Sequence, residues 1–391
     1  MLYAMQLRII LFLCLGALAN PVISAQPRHD LRRYDNSTFS SKATAASYRF
    51  AADTHRNLAV YFGKTALSLQ TNLSAQCEDS NVDIVILGFL LNVLGPGGLP
   101  TMAINNTAGE LCEPPNASML AAGGTALKRC STLQSHIVAC QDLGKKVFIS
   151  IGGAKGTQTF ASQAEAEKAA NVLWDLFGSG TGLNVSLRPF GESVTVDGFD
   201  IDNETGDGNY YPDFVTKLRS LTKSQSEKQY FLSAAPACYF PNPSAPVEML
   251  TQMDFVWPQF YGSPSCNIGT SNFTNSFTTW SSRLDAGNKP RLFIGGASWS
   301  EATSTGGYVP PQQLNQTILS SVASVGTSKF GGVMLWDGAY GHTTMDPETG
   351  LDIIGVAKGS LLMSGANVKR KGGPNALFPV VATVVGLGLL A

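Results

Sequence analysis

The chain has 391 residues, 44% of them hydrophobic and 14% charged, enough for one large domain or two ordinary ones with a sizeable core. A formal net charge of −1 leaves no basis for nucleic-acid binding.

In chain order, residues 1–25 read as a secretory signal peptide. Arg8 precedes an apolar run at 9–15, and small residues follow at Ala17, Ala19, Ser24 and Ala25. Cleavage after Ala25 is preferred, with Ala19 the alternative. The run is short for a membrane span. Residues 26–50 are polar, without a period, and are expected to be an extended lead-in. From there apolar runs recur at 58–63, 83–90, 146–153, 196–204, 231–236, 254–261, 291–296 and 331–336. Continuous apolar runs suit strands covered on both faces, as in a parallel sheet. Helical patterns lie between them, clearest over 162–177 and over 212–221, the latter with Pro212 in its first turn. Eight such strands alternating with helices have the cadence of an α/β protein, a (β/α)8 TIM barrel forming a single catalytic domain over residues 51–363. A doubly wound open sheet is the rival, weakened because no Gly-rich nucleotide loop follows the first strand.

Residues 364–391 close the chain with small residues at Ser364, Gly365 and Ala366, a polar spacer with Lys369, Arg370 and Lys371, and an uncharged apolar tail. This is the layout of a GPI-attachment signal with Ser364 as the attachment residue. Trimming both ends leaves a net charge of −5, compatible with a neutral or slightly cationic substrate. Cys14 lies in the leader. The six remaining cysteines, an even count in a secreted chain, suggest three disulfides. No CxxC pair or His cluster suggests a metal, and no cofactor is expected. His29, His55, His136 and His342 avoid the strand ends and read as surface or core. Glycosylation sequons start at Asn36, Asn72, Asn105, Asn116, Asn184, Asn272 and Asn315. A further sequon at Asn203 is expected to stay unmodified, because it lies inside the fourth run.

That fourth run, residues 196–204, carries the chemistry. As a strand it places Asp200, Asp202 and Glu204 on one face and Phe199 and Ile201 on the other. Three carboxyls at that spacing cannot all ionise freely, so their pKa values must be driven apart. A calcium loop and a solvated acidic turn are the bland alternatives; the loop would need a tight turn with Gly at its sixth position and Glu at its twelfth, and Phe and Ile interleaving the acids favour a buried strand. In a barrel, chemistry sits at the C-terminal strand ends, which singles out Tyr61, Asp202, Glu204, Gln259, Tyr261 and Trp336.

These residues resemble glycoside hydrolase family 18, and within it the class III chitinases typified by hevamine. The family's D-x-x-D-x-D-x-E motif is complete at Asp197, Asp200, Asp202 and Glu204. S-x-G-G appears at Ser150, Ile151, Gly152 and Gly153, and Q-F-Y at Gln259, Phe260 and Tyr261. A-A-P-x-C runs from Ala234 to Cys238, and Trp336 matches the eighth-strand tryptophan. The resemblance covers about residues 55–360. One departure is local: Phe62-Gly63-Lys64-Thr65 stands where class III chains usually have Trp-Gly-Gln-Asn, which touches substrate contacts and not the chemistry. The loops at 95–128 and 300–312 have no assigned counterpart.

The resemblance implies disulfides Cys77–Cys140, Cys112–Cys130 and Cys238–Cys266. It implies a monomer acting on chitin or chitooligosaccharides, retaining configuration by substrate assistance. Glu204 would protonate the leaving oxygen and need a raised pKa. Asp202 would orient the acetamide and share a proton with Asp200. Tyr261 would hold the acetamido carbonyl, with Gln259 and Tyr61 adding polar contacts around it, and Trp336 would floor the sugar. Asp197 faces away and is expected to be structural. An endo-β-N-acetylglucosaminidase on N-glycans and a non-catalytic carbohydrate-binding or inhibitor protein are the competing readings. The tail is expected to be removed and replaced by a GPI lipid, the sole membrane link, holding the protein at the plasma membrane and/or cell wall.

Overall fold

A computed structural model describes residues 48–64, 72–104, 111–285 and 290–370. The leader, most of the lead-in, the sequons at Asn36 and Asn105, and the apolar tail lie outside the described residues. The strands are β1 (Asn57–Phe62), β2 (Ile84–Asn92), β3 (Thr101–Met102), β4 (Lys146–Gly152), β5 (Gly198–Asp202), β6 (Phe231–Ala234), β7 (Phe255–Val256), β8 (Arg291–Ala297) and β9 (Phe330–Trp336). Neighbours run β1-β9-β8-β7-β6-β5-β4-β2, all parallel, and β1 pairs with β2 to close the ring. Short β3 adds antiparallel to the end of β2, inside the unassigned 95–128 loop. The eight parallel strands are the eight apolar runs, so the fold is a closed (β/α)8 barrel.

The period of two divides each strand between two cores. Inward residues such as Tyr61, Ile86, Phe148, Phe231, Phe255, Trp257, Phe293 and Met334 fill the barrel. Outward residues such as Val60, Val85, Ile149, Phe199, Ile201, Leu232 and Val333 meet the surrounding helices. Those helices are α1 (Leu73–Glu78), α2 (Ala117–Ala121), α3 (Ser131–Asp142), α4 (Gln163–Phe177), α5 (Tyr211–Lys223), α6 (Val247–Leu250), α7 (Phe273–Arg283), α8 (Pro311–Val325), α9 (Gly338–Gly341) and α10 (Ile353–Arg370). α4 begins where Ser162 accepts the N–H of Glu165 and Glu165 accepts that of Ala161, satisfying donors at its first turn. At the barrel bottom, Phe50 sets its ring edge against Phe231 at 5.3 Å and Phe255 at 6.3 Å. The lead-in thus ends as a plug.

One device recurs at that bottom face. Asp83, Asp197 and Asp254 each stand just before a strand and are almost fully buried. Each accepts the backbone N–H of the second residue of a neighbouring strand: Leu58 at 2.7 Å, Val147 at 2.9 Å and Leu232 at 2.9 Å. Each also pairs with a cation from outside the ring, Lys358, Lys228 and Arg219 respectively. Asp197, reached also by Gln141 at 3.0 Å, is therefore a clamp between β4 and β5, far from the strand ends that hold the acids. Asp197→Ala strands a buried backbone donor and a partly buried ammonium. Guanidinium unfolding is expected to show a loss of about 3 kcal/mol, with kcat changed less than threefold.

The cysteines pair as Cys77–Cys140, joining α1 to α3, as Cys112–Cys130, and as Cys238–Cys266, joining the loops after β6 and β7. Ser364 sits inside α10, 3% exposed, its hydroxyl bonded to Leu361 O at 2.8 Å. The boundary read at 363/364 therefore falls within a helix.

Candidate active site

Asp200 is at the centre of a row. Parallel register aligns Ser150 of β4, Asp200 of β5 and Ser233 of β6, all pointing into the barrel. Both serine hydroxyls donate to the Asp200 carboxylate, at 2.7 and 2.8 Å, and Tyr61 donates its O–H across the barrel at 2.6 Å. Burial pushes the Asp200 pKa up, and these donors pull against it. Tyr61 was expected beside the acetamide. Its hydroxyl meets Asp200 across the lumen, and Tyr61 is 2% exposed. Its own pKa is raised, by burial first and then by the charges of Asp200 and Asp202.

β5 ends at Asp202, so Glu204 is not on the strand as the alternation suggests. The loop returns it to the same side by way of Asn203. That side chain donates to the carbonyls of Asp207 at 2.7 Å and Ser244 at 2.8 Å, and accepts the N–H and O–H of Thr205. Both amide hydrogens of Asn203 are engaged, which gives the sequon there a second reason to stay unmodified. The described sequons at Asn72, Asn184 and Asn272 are exposed, while Asn116 and Asn315 are half-buried. The approach of β4 to this turn needs glycine: a methyl on Gly152, at φ +109°, would meet Asp202 O at 2.0 Å. Gly153 donates its N–H to that same carbonyl at 2.8 Å.

Gln259 ties the two outer acids together. Its amide lies 2.8 Å from Asp202 Oδ1, 3.3 Å from Glu204 Oε1 and 3.0 Å from Ala235 O. Asp202 and Glu204 are thus held side by side through one amide. Burial raises the Asp202 pKa well above the carboxylate range, and the charges of Glu204 and Asp200 add to it. Burial raises Glu204 too, while the bonds from Gln259 and Asp202 oppose the rise. Two carboxyls placed in this way can hold one proton between them. Proton sharing was expected between Asp200 and Asp202. Asp200 also acts on Asp202, raising its pKa, so those two remain neighbours in charge as well as in sequence. Glu204 also keeps an accessible edge, since its loop opens to solvent.

Tyr261 closes the site. It is 7% exposed, and burial and the charges of Asp202, Glu204, Asp200 and Asp337 all hold its phenol protonated. Among the described residues its hydroxyl makes no hydrogen bond, so it has a donor to offer a ligand. Trp336, half-buried, stands edge-on to Tyr61 at 5.4 Å and 6.0 Å from Phe89, forming an aromatic floor beside the acids. Ser233, Phe89 and Asp337 were not singled out from the sequence. Ser233 had a signal, a polar residue mid-run aligned with Asp200. Phe89 was hidden within a continuous apolar run, and Asp337 lies one residue past the last one.

The arrangement can donate a proton from a carboxyl pair, hold a carbonyl on a phenol and stack an apolar ring face. The family model for glycosyl hydrolases family 18 matches residues 57–315. The chain is 37% identical over 294 residues to endochitinase 3 of Metarhizium robertsii, covering 73% of this chain and 89% of that protein. It is 33% identical over 286 residues to acidic endochitinase SE2 of Beta vulgaris, covering 72% and 87%. Among solved structures, the ICChI chitinase of Ipomoea carnea aligns with a TM-score of 0.62 at 29% identity, over 78% of this chain and 99% of that one. The xylanase and alpha-amylase inhibitor protein XAIP-II of Scadoxus multiflorus aligns with a TM-score of 0.60 at 28% identity, over 79% and 98%. The barrel is thus similar both to a hydrolase and to an inhibitor.

Proposed function

Because the chain belongs to glycoside hydrolase family 18, we propose that it is an endochitinase cleaving β-1,4 links between N-acetylglucosamine units with retention of configuration. One observation carries the reading: the Gln259 amide holds the Asp202 and Glu204 carboxyls together, at 2.8 and 3.3 Å, beside the buried Tyr261 phenol and the Trp336 floor. An inhibitor or binding protein on the same barrel has no use for a raised, proton-holding acid beside an acetamide donor, so the catalytic reading is preferred.

The chemistry follows from those groups. Glu204 gives its proton to the glycosidic oxygen as that bond breaks. The sugar's acetamido oxygen, oriented by the Tyr261 O–H, attacks the anomeric carbon and forms an oxazolinium ion. Asp202 accepts the acetamido N–H and its negative charge balances the cation. Gln259 keeps the two carboxyls in register. Water then opens the ring, its proton passing to Glu204 and its oxygen to the anomeric carbon. Two displacements leave the β-anomer. Proton NMR of fresh products from a chitin hexamer is expected to show it, and α-anomer product would exclude participation by the acetamide.

We also propose export to the cell surface, supported by the leader pattern at 1–25, with a GPI lipid replacing the tail. Attachment at Ser364 requires the last turns of α10 to open. Phosphatidylinositol-specific lipase is expected to release the activity from membranes. Activity that stays on the membrane after lipase but leaves it in detergent would indicate a retained helix.

A further inference from the structure

The loop at 300–312, without an assigned counterpart from the sequence, comes back to the mouth of the barrel as a short extra strip. The chain leaves β8 after Ala297 and returns so that Tyr308 bridges Ala297 in parallel. On the other side of the strip, Gly306 O accepts the N–H of Gly262 at 2.9 Å, and Thr305 O accepts the side-chain amide of Asn267 at 3.0 Å. A methyl on Gly307, at φ +105°, would meet Tyr261 Cα at 2.4 Å and Cβ at 2.6 Å, so only glycine lets the strip lie this close. Residues 306–308 are therefore wedged between the end of β8 and Tyr261.

Register decides where Tyr308 points. Paired residues of parallel neighbours leave the sheet on the same face. Ala297 pairs with Trp336 on one side and with Tyr308 on the other. Ala297 belongs to the inward core, and Trp336 and Tyr308 both pack against that core as half-buried side chains. The next residue, Val309, takes the opposite face and is 5% exposed among the residues under the helices. The row across the mouth thus reads Trp336, Ala297, Tyr308. Its two aromatic residues start two strand spacings apart, about 10 Å, with a single methyl between them. A pyranose ring resting on Trp336 overhangs Ala297 and meets Tyr308, with Tyr261 just beyond. Resting on the endochitinase reading, we infer that Tyr308 is a further substrate-binding residue, the side wall of the sugar position that Trp336 floors, touching the apolar C–H edge of an N-acetylglucosamine ring. A tyrosine suits such a place, since its ring gives apolar area while its hydroxyl stays wet. The contact is made equally before and during bond breaking, so its loss appears in KM and not in kcat.

The test is steady-state cleavage of an acetylated chitin hexamer by three variants. Tyr308→Leu keeps an apolar side chain on the core and removes the flat ring. It is expected to raise KM about tenfold with kcat within about twofold, the scale of about 50 Å² of apolar contact. Tyr308→Phe restores the ring and is expected to bring KM back to within about twofold of wild type. Val309→Ala loosens the same strip from its outward face; it is expected to lower the melting temperature and leave KM in place. A further readout needs no change at Tyr308: in Glu204→Gln, bound hexamer is expected to block nitration of Tyr308 by tetranitromethane, mapped by peptide mass. An unchanged KM in Tyr308→Leu, a rise no larger than that in Val309→Ala, or nitration indifferent to the hexamer would overturn the wall and leave the chitinase reading intact. A loss of kcat alone would make Tyr308 a prop for Tyr261 and overturn the contact as well. Failure of wild type to cut the hexamer would overturn the endochitinase reading itself.

Discussion

Glu204→Gln is expected to lower kcat on a chitin hexamer by about three orders of magnitude, with KM changed by less than about threefold. Glutamine matches the carboxyl in size and can still hydrogen-bond Asp202 and Gln259, so the barrel and the sugar-binding floor remain. What disappears is a transferable proton. The leaving oxygen must then depart as an alkoxide, and no other group is set to replace the acid. Asp202 lies deeper, 4% exposed and bonded to Gln259, and Asp200 is enclosed by three hydroxyl donors. The measurement is a steady-state rate with a reducing-end assay, paired with binding of the uncleaved hexamer. A variant with more than a tenth of wild-type kcat would remove Glu204 from the mechanism. A loss carried by KM alone would turn it into a binding residue.

The barrel was legible because burial on both faces leaves long apolar runs, and a closed parallel sheet repeats them eight times. Run edges were less legible, for reasons visible in single residues. The run at 254–261 yields only the two-residue strand β7, since Pro258 has no N–H for the ladder. The chain resumes pairing at Gln259, which bridges Ala237 on one side and Gly295 on the other. Glu204 was placed on the correct side by alternation but for an incomplete reason: the strand stops two residues earlier and Asn203 steers the loop. Alternation reports which face a side chain leaves from, and nothing about which distant group it meets. The partners of Asp200 are 50, 33 and 139 residues away in sequence, so its hydroxyl cluster emerges only once the ring closes. Tyr61 and Gln259 were legible as polar residues at strand ends, while their pairing with Asp200, Asp202 and Glu204 was not. A polar residue at a strand end is conspicuous, while the neighbour across the lumen is not.

Asp202→Asn is expected to cost about two orders of magnitude in kcat and, more tellingly, to move the alkaline limb of the kcat/KM profile to lower pH. The direction follows from the shared proton. Catalysis needs the pair to hold one proton, and activity is lost as pH rises through the pKa at which that last proton leaves. In the native site its departure would place two carboxylates side by side in a buried setting, so both groups have raised pKa values, with burial the leading cause. An asparagine removes the second charge and offers Glu204 an N–H donor in its place. Both changes favour the Glu204 carboxylate, and its proton is released at lower pH. Lost rate at the optimum has a separate origin: the amide carries no charge to balance the oxazolinium ion. A pH–rate profile on the acetylated hexamer separates the two effects. If the alkaline limb stays in place while kcat falls, Asp202 acts on the intermediate alone and the shared proton has no part in holding the acid ready.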